Sequence, residues 1–214
     1  MEKGNTTQFY RLKWMWNILR HGLFLKGVNN RIARIGLDFM PYYWVLEGQE
    51  EFDPPQIRGD ATGFEVSFFD DTDIDKVQSS ISGLGDVDYA QNLRNGEICV
   101  GLRQNGKVAA FMFIKKNSHE FRGKLFPLKE NEAYLYGMYT FESFRGKNLA
   151  PYLRYHCYQL CRQDGIDKFY SVSDYLNKST LRFKRKLKAR NTQLYLSMRL
   201  FKSYNRTFLL KKYN

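Results

Sequence analysis

Cysteine is scarce in this 214-residue chain, and no apolar run is long enough to cross a membrane. The three cysteines, Cys99, Cys157 and Cys161, lack metal-ligand spacing, which argues against a metal site and indicates a reducing compartment. Arg20 and His21 interrupt the N-terminal apolar stretch far short of a membrane span. No small-residue cleavage site follows it, so the sequence predicts neither a transmembrane helix nor a signal peptide.

Basic charge is abundant but unevenly distributed. The formal net charge of the chain is +12, and 43% of its residues are hydrophobic, enough for one domain with a substantial core. Counted along the chain, residues 1–48 carry +4, residues 49–100 carry −9 and residues 101–214 carry +17. A polyanionic ligand bound by residues 101–214 would account for some of their positive charge. Binding to acidic lipid or to nucleic acid could account for the remainder.

Residues 1–48 are predicted to form a basic amphipathic extension. Apolar side chains recur there at helical spacing: Leu12, Met15, Trp16, Leu19 and Leu23. One interpretation is that residues 9–25 dock on a membrane surface through Trp14 and Trp16. The other is a helix packed on the domain or on a second copy in a homodimer. The predicted location is the cytoplasm, with the inner membrane face as a peripheral site.

The main domain is predicted to cover residues 64–214, after a short strand at 41–47 and a glycine- and proline-containing linker at 49–63. Strands are predicted at 64–69, 97–102, 108–114, 132–140, 168–173, 193–201 and 207–212, and helices at 71–81, 87–93, 149–161 and 176–188. Asn105-Gly106 supplies the positive φ angles of a hairpin turn. This order predicts an α/β domain with a mixed sheet.

Residues 144–150 lie between the predicted strand 132–140 and the following helix. A turn of small residues at a helix N-terminus directs several unpaired backbone N–H groups at one point, and the helix dipole adds partial positive charge there. Pro151 stands in the first turn, where a missing N–H costs nothing. The segment therefore predicts an anion site.

Two motifs within residues 64–212 resemble the GNAT N-acetyltransferase superfamily. The family's pyrophosphate pattern, Arg/Gln-x-x-Gly-x-Gly/Ala, is matched by Arg145, Gly146, Lys147, Asn148, Leu149 and Ala150, except that Asn148 replaces the central glycine. A second pattern, in which an Asn opens the next helix, is matched by Asn177, Thr180, Leu181, Phe183, Lys186 and Leu187. Both motifs occupy the expected topological positions.

The resemblance implies a mixed, mostly antiparallel central sheet flanked by helices, and acetyl-CoA as acyl donor without a metal. It also implies that the N–H groups of residues 146–150 hold the pyrophosphate. Backbone groups of Met138, Tyr139 and Thr140 would bond the pantetheine arm, with the Met138 N–H polarising the thioester carbonyl. Asn177 would bond the arm from the other side.

For the chemical step, an amine must lose a proton before or during its attack on the thioester. Glu132 is the candidate base, acting through water, although it could equally be a charged strand end. Tyr134 lies on the same strand face and could orient the substrate. Lys184 stands where many relatives have a tyrosine that protonates the departing thiolate. A lysine could serve there if its pKa were lowered; we expect it to be solvated, which leaves another tyrosine, or no acid at all, as the alternatives. His119, in a predicted loop, and His156, on a buried helix face, are interpreted as structural.

The resulting hypothesis is an acetyl-CoA-dependent N-acetyltransferase acting on a primary amine of a small molecule, such as an amino sugar of surface-polysaccharide synthesis. An acidic block near the predicted acceptor site would attract an ammonium group: Asp70, Asp71, Asp73, Asp75, Asp86 and Asp88. One alternative uses a longer acyl-CoA or an acyl-carrier-protein donor. Another is a non-catalytic GNAT-like module for anionic membrane or nucleic acid. Nucleic acid is not the expected partner, because the basic run 182–190 reads as a solvated helix face.

Overall fold

The computed structural model describes residues 23–81, 87–201 and 203–213. Most of the predicted amphipathic helix, including Trp14 and Trp16, lies outside these residues, and so do the predictions of membrane docking based on it. Within the described ranges, no helix is long and apolar enough to span a membrane.

Ten strands and five helices make up the described chain. The strands are β1 (Leu37–Glu47), β2 (Phe64–Phe69), β3 (Ile98–Gln104), β4 (Lys107–Lys115), β5 (His119–Phe121), β6 (Lys124–Phe126), β7 (Glu132–Thr140), β8 (Lys168–Asp174), β9 (Arg190–Leu200) and β10 (Tyr204–Lys212). The helices are α1 (Leu23–Arg34), α2 (Asp71–Ser80), α3 (Tyr89–Arg94), α4 (Leu149–Gln163) and α5 (Lys178–Lys186), with a 3₁₀ turn at Glu142–Phe144.

Eight of the strands form one sheet in the order β10-β9-β1-β8-β7-β4-β3-β2. Among the strand pairs of the described chain, β7 with β8 is parallel and the others are antiparallel. Helix α4 packs on one face against β3, β4 and β7, while α2 and α3 pack against β2 and β3. The predicted mixed, mostly antiparallel sheet flanked by helices is confirmed.

Local sequence signals explain several element boundaries. Asp70 caps α2 by accepting the Asp73 backbone N–H at 3.0 Å, and the Asp73 carboxylate accepts the Asp70 N–H in return, forming a capping box. The β3–β4 hairpin turns at Asn105 and Gly106, whose φ angles of 50° and 77° are those of a tight two-residue turn. The hairpin turn is the one that the sequence predicts.

Strand β1 corrects the predicted start of the domain. The sequence predicts an extension over residues 1–48 with a short strand at 41–47, yet β1 begins at residue 37 and lies inside the sheet, antiparallel to both β8 and β9. Its last residue, Glu47, is fully buried. The sheet therefore includes residues from before the predicted linker as well as after it.

A second difference is the β5–β6 hairpin, where the sequence predicted a loop around His119. The hairpin turns at Arg122 and Gly123, with φ angles of 51° and 74°. Arg122 pairs with Asp38 of β1 at 2.8 Å. The hairpin covers an aromatic cluster on one sheet face, whose buried members are Tyr42, Trp44, Phe126, Tyr134 and Tyr195.

Candidate active site

Strands β7 and β8 pair only at one end, which opens the sheet between them. The parallel ladder joins Glu132, Ala133 and Tyr134 to Lys168, Phe169 and Tyr170, and it ends there. Further along β7, Tyr136 is opposite Phe113 and Tyr139 is opposite Phe111, so two residues of β7 face one residue of β4. The bulge contains Gly137, whose φ of 62° is suited to glycine.

A cavity of about 560 Å³ occupies this opening. The predicted donor-site residues Met138, Thr140, Ala150 and Asn177 all line it. Tyr139 does not, because its side chain lies against Phe111 and Phe141. The structure thus brings residues from β7, α4 and the start of α5 together around one space.

The predicted anion loop forms a second cavity of about 310 Å³, lined by Arg145, Gly146, Asn148, Leu149 and Ala150 of the motif. Thr140 and Ala150 line both cavities, so the two cavities are neighbours. We name the second one the cradle.

Three basic side chains, those of Arg58, Arg145 and Lys186, also line the cradle. Lys147 of the motif contributes differently, since its carbonyl accepts the Arg58 backbone N–H at 2.9 Å. Gly146 has a φ of 85°, and an added Cβ there would meet no atom within 4 Å. The cradle is therefore open, basic and able to bind a pyrophosphate through charge and backbone N–H groups.

Asn148, the departure from the family motif, adopts the left-handed conformation with a φ of 66°. Its side chain makes no capping bond to α4. Instead, Nδ2 donates to the Gln56 carbonyl at 2.8 Å and Oδ1 accepts from Lys186 Nζ at 2.8 Å. Asn148 therefore ties the segment before β2 and helix α5 to the cradle, without occupying the first N–H groups of α4.

Asn177 caps α5 through its Oδ1 atom. This oxygen accepts the Thr180 N–H at 3.2 Å and the Ser179 hydroxyl at 2.8 Å. The amide Nδ2 is then the Asn177 group suited to donating a hydrogen bond to a ligand in the main cavity.

Lys184 lines the main cavity and is buried, so the expectation that it is solvated is wrong. Its ammonium forms an ion pair with Glu47 and donates to Ser171 Oγ at 2.6 Å. Glu47 also lies 3.4 Å from Arg154 Nε and accepts the Tyr158 hydroxyl at 2.5 Å. We name these five residues, from β1, α4, β8 and α5, the buried charge network.

The network shifts the pKa values of its own members. Burial alone would raise the pKa of Glu47, but Arg154, Lys184 and Ser171 together hold it at about 2. Burial and the nearby Arg154 guanidinium lower the pKa of Lys184 to about 7, against the opposing attraction of Glu47. Lys184 can therefore exchange a proton near neutral pH while Glu47 stays ionised.

The predicted catalytic pair is separated by the structure. Glu132 does not line either cavity; it stands at the closed, paired end of β7 and accepts the Lys129 N–H at 3.1 Å. Tyr134 does line the main cavity, stacked on His119 with ring centroids 3.6 Å apart. Burial raises the pKa of Tyr134, so its hydroxyl stays protonated and is suited to orienting a substrate.

Two carboxylates near the cavity, those of Glu97 and Asp174, are not among the site residues that the sequence predicts. Tyr136 lines the cavity two residues after Tyr134 and donates to the Glu97 carboxylate, which lies 3.3 Å from Lys115 Nζ. Asp174, at the end of β8, also lines the cavity. Tyr136 could have been found from strand alternation, but the partnership with Glu97 depends on sheet register.

The histidines remain in the structural interpretation. Burial lowers the pKa of His119 to about 4, which leaves its imidazole neutral, and its Nε2 has no hydrogen-bond partner within the described chain. His156 packs on Tyr152 within α4, with ring centroids 4.3 Å apart. The described residues contain no group of three or more His, Cys, Asp or Glu side chains that could hold a metal.

Solved structures share the fold at low sequence identity. An acetyltransferase from the GNAT family of Colwellia psychrerythraea gives a TM-score of 0.56 at 11% identity, covering 78% of this chain and 59% of its own. A protein from Novosphingobium aromaticivorans that is assigned to the GNAT acetyltransferases gives a TM-score of 0.53 at 19% identity, covering 77% of this chain and 66% of its own. A GCN5-related N-acetyltransferase-like protein from Streptococcus suis gives a TM-score of 0.52 at 14% identity, covering 82% of this chain and 67% of its own. This chain therefore spans 59% to 67% of the length of these structures.

The sequence comparisons give the family. No curated protein matches the chain at a significant level. The model of the acetyltransferase (GNAT) family matches residues 66–188, which is more than half of the chain. This part contains most of the cradle, most of the main cavity and four members of the buried charge network. By this match and by its fold, the chain belongs to the acetyltransferase (GNAT) family.

Proposed function

We propose that the protein transfers an acetyl group from acetyl-CoA to a primary amine of a small molecule. The observation that carries this proposal is the joining of the basic cradle to the main cavity at Thr140 and Ala150, where β7 and β8 separate. A pyrophosphate in the cradle and a thioester arm in the cavity match these two spaces in charge and order. Family membership supports the same reaction class.

Residues of this chain have distinct tasks in donor binding. The N–H groups of residues 146–150, with Arg58, Arg145 and Lys186, would hold the pyrophosphate. Backbone groups of Met138 to Thr140 would bond the arm along β7, and Asn177 would donate from the opposite side. Acetyl-CoA supplies an acyl group activated by its thiol leaving group.

The acceptor would enter from the sheet face that carries Tyr134, Tyr136 and Asp174. An ammonium group is attracted by the Asp174 carboxylate, and the aromatic rings offer surfaces for a sugar ring or an apolar group. The Tyr136 hydroxyl links this space to the Glu97 carboxylate, which gives the amine proton a route out. An amino sugar of surface-polysaccharide synthesis fits this chemistry and is the acceptor that we propose.

The test begins with acetyl-CoA alone. We expect acetyl-CoA to raise the melting temperature of the wild-type protein, because a ligand that binds only the folded state stabilises it. In Gly146→Glu, a carboxylate in the cradle repels the pyrophosphate, and the shift is lost. Gly165→Glu is the matched control: its φ of 78° is similarly positive and its surroundings are equally open, but it lies after α4, away from the cradle.

A panel of amines, including amino sugars, is then assayed for thiol release. Thiol release with an amino sugar would support the proposed acceptor. If a longer acyl-CoA or an acyl-carrier protein stabilises the protein and acetyl-CoA does not, that molecule replaces acetyl-CoA as the proposed acyl donor. The absence of both stabilisation and thiol release, together with salt-sensitive binding to anionic vesicles or nucleic acid, would favour the non-catalytic alternative. Cytoplasmic location with contact to the inner membrane face stays a proposal based on the sequence.

A further inference from the structure

We propose that Lys184 is the catalytic residue that donates a proton to the departing CoA thiolate, and that Glu47 is its positioning residue. This inference rests on the proposed function, because only a thioester donor releases a thiolate. The evidence is the location of Lys184, its burial, its partners and the net charge of the buried charge network.

Lys184 faces the cavity from α5, the helix that Asn177 caps. Both residues line the same cavity as Met138 of the β7 bulge. The Lys184 side chain is only 5% exposed, so its ammonium cannot be satisfied mainly by bulk water. A donor arm along β7 would therefore share its cavity with a buried proton donor.

Every element packed against Lys184 contributes to its environment. Strand β1 presents the Glu47 carboxylate, β8 the Ser171 hydroxyl and α4 the Arg154 guanidinium. The Tyr158 hydroxyl reaches the group only through Glu47, to which it donates. The Phe183 ring of α5 lies 5.4 Å from Lys184 Nζ.

Among these groups, Lys184 is the suitable proton source. A guanidinium does not give up its proton in proteins, so Arg154 can stabilise negative charge but cannot act as an acid. The Tyr158 hydroxyl is engaged with the Glu47 carboxylate. Lys184 is held in place by its bonds to Glu47 and Ser171, which use two of the three N–H donors of its ammonium and leave one for a ligand.

The charge of the network also favours a departing anion. Lys184 and Arg154 contribute two positive charges against the one negative charge of Glu47, which leaves a net +1 within the network, on the side of the cavity away from the acceptor face that carries Asp174. Arg154 Nε is buried and makes no hydrogen bond with any described residue. Because buried ion networks seldom stabilise a fold over an apolar alternative, a functional reason for this excess charge is needed. A thiolate would supply the missing negative charge.

The step balances as follows. The amine nitrogen forms a bond to the acetyl carbon, the bond from carbon to sulfur breaks, and the sulfur leaves with the electron pair. A proton moves from Lys184 Nζ to the sulfur, giving the CoA thiol and a neutral lysine amine beside ionised Glu47. The proton released by the attacking nitrogen leaves by way of Tyr136 and Glu97 to water, and Lys184 takes a proton back from water, so no other reactant is required.

The test measures the pKa of the thiol of bound CoA, from thiolate absorbance in the near ultraviolet as the pH is raised. It needs no acceptor. We expect the bound thiol to titrate at least about one pH unit lower in the wild type than in Lys184→Met, because the thiolate keeps the proton on Lys184 and the thiolate–ammonium pair titrates as a unit. Lys178→Met, an exposed position on the same helix that lines neither the cavity nor the cradle, should match the wild type.

Lys184→Gln keeps hydrogen-bond donors for Glu47 and Ser171 while it removes the charge, so it covers the case in which the methionine variant does not fold. CoA binding itself reports a folded cradle in each variant. An unchanged thiol pKa in a neutral variant that binds CoA would overturn the role of Lys184 and leave the proposed function intact. If the wild type does not bind CoA, both proposals fail.

Kinetics separates proton donation from a merely structural role. The neutral Lys184 variants should lose kcat with acetyl-CoA and recover it with an acetyl thioester of a more acidic thiol, which needs no proton on leaving. A structural defect would lower both rates alike. Glu47→Gln should move the pH dependence of kcat to lower pH, because Lys184 without its carboxylate holds a proton less firmly.

Discussion

The substitution Glu47→Gln tests the buried charge network through stability. Glu47 is fully buried, and its carboxylate serves Lys184, Arg154, Tyr158 and Ser171. A neutral amide leaves two buried cations without a counter-ion, and breaking a buried pair costs about 3–5 kcal/mol. The lowering of the Glu47 pKa from 4.5 to about 2 corresponds independently to about 3 kcal/mol. We therefore expect the free energy of unfolding to fall by about 3 kcal/mol at neutral pH.

The assay is urea denaturation of the wild type and the variant across a pH series. A carboxyl group whose pKa is lowered on folding stabilises the protein above its ordinary pKa, and that contribution is lost as the pH falls toward its folded value. The part of the difference that comes from Glu47 titration should thus be fully present above pH 4.5 and shrink between 4.5 and about 2. Because Lys184 loses its proton more readily in the variant, the difference should also narrow as the pH rises toward 7. At neutral pH the midpoint should fall by about 1 M urea or more.

Glu50→Gln is the matched control. Glu50 also pairs with an arginine, Arg190, with 2.7 Å between Arg190 Nη2 and Glu50 Oε1, but both side chains are substantially exposed. An exposed pair contributes about 0–1 kcal/mol. If Glu47→Gln costs no more than this control, or if its cost does not depend on pH in the acid range, the structural argument for a buried, charged Glu47 is refuted.

Three further substitutions test other parts of the site and fold. Asn148→Gly keeps the left-handed conformation but removes the hydrogen bond to Gln56. We expect the free energy of unfolding, measured by urea denaturation, to fall by about 1 kcal/mol while acetyl-CoA still binds. A larger loss of binding free energy than of unfolding free energy would contradict this. Asp174→Asn should raise KM for a cationic amine severalfold and leave acetyl-CoA binding unchanged by calorimetry; equal KM values would remove Asp174 from acceptor binding. Gly101→Ala would drive a Cβ into the Phe69 ring and should cost at least about 1–3 kcal/mol; unaltered thermal stability would contradict the packing.

The elements that the sequence predicted well are those fixed by local chemistry. Asn105-Gly106 can adopt positive φ angles, so the β3–β4 hairpin follows from the turn and the alternation on each side of it. The bulge has a local signal of the same kind, because Gly137 interrupts an otherwise apolar strand. Both signals lie within a few residues of the structure that they specify.

The buried charges could not be predicted in this way. Lys184 stands in a run of basic residues with high amphipathicity, and such runs are usually solvated. Its burial depends on Glu47, which is 137 positions away. Glu47 ends strand β1, which lies before the domain that the sequence predicts. Each charge alone argues for exposure, and only the sheet order brings the two together. The β5–β6 hairpin escaped for a different reason, since strands of three residues give almost no alternation.

The segment predicted as a linker has a further consequence for the donor site. The Arg58 N–H bonds the Lys147 carbonyl, and the Gln56 carbonyl accepts from Asn148, so this segment contacts the cradle at two successive motif positions. A true linker would have no such contacts and would tolerate changes in length. Asn148 needs a partner for its amide, and a central glycine would not. The replacement of that glycine and the packing of this segment against the cradle are therefore coupled: the side chain that stands in place of the glycine also bonds the segment that carries Arg58.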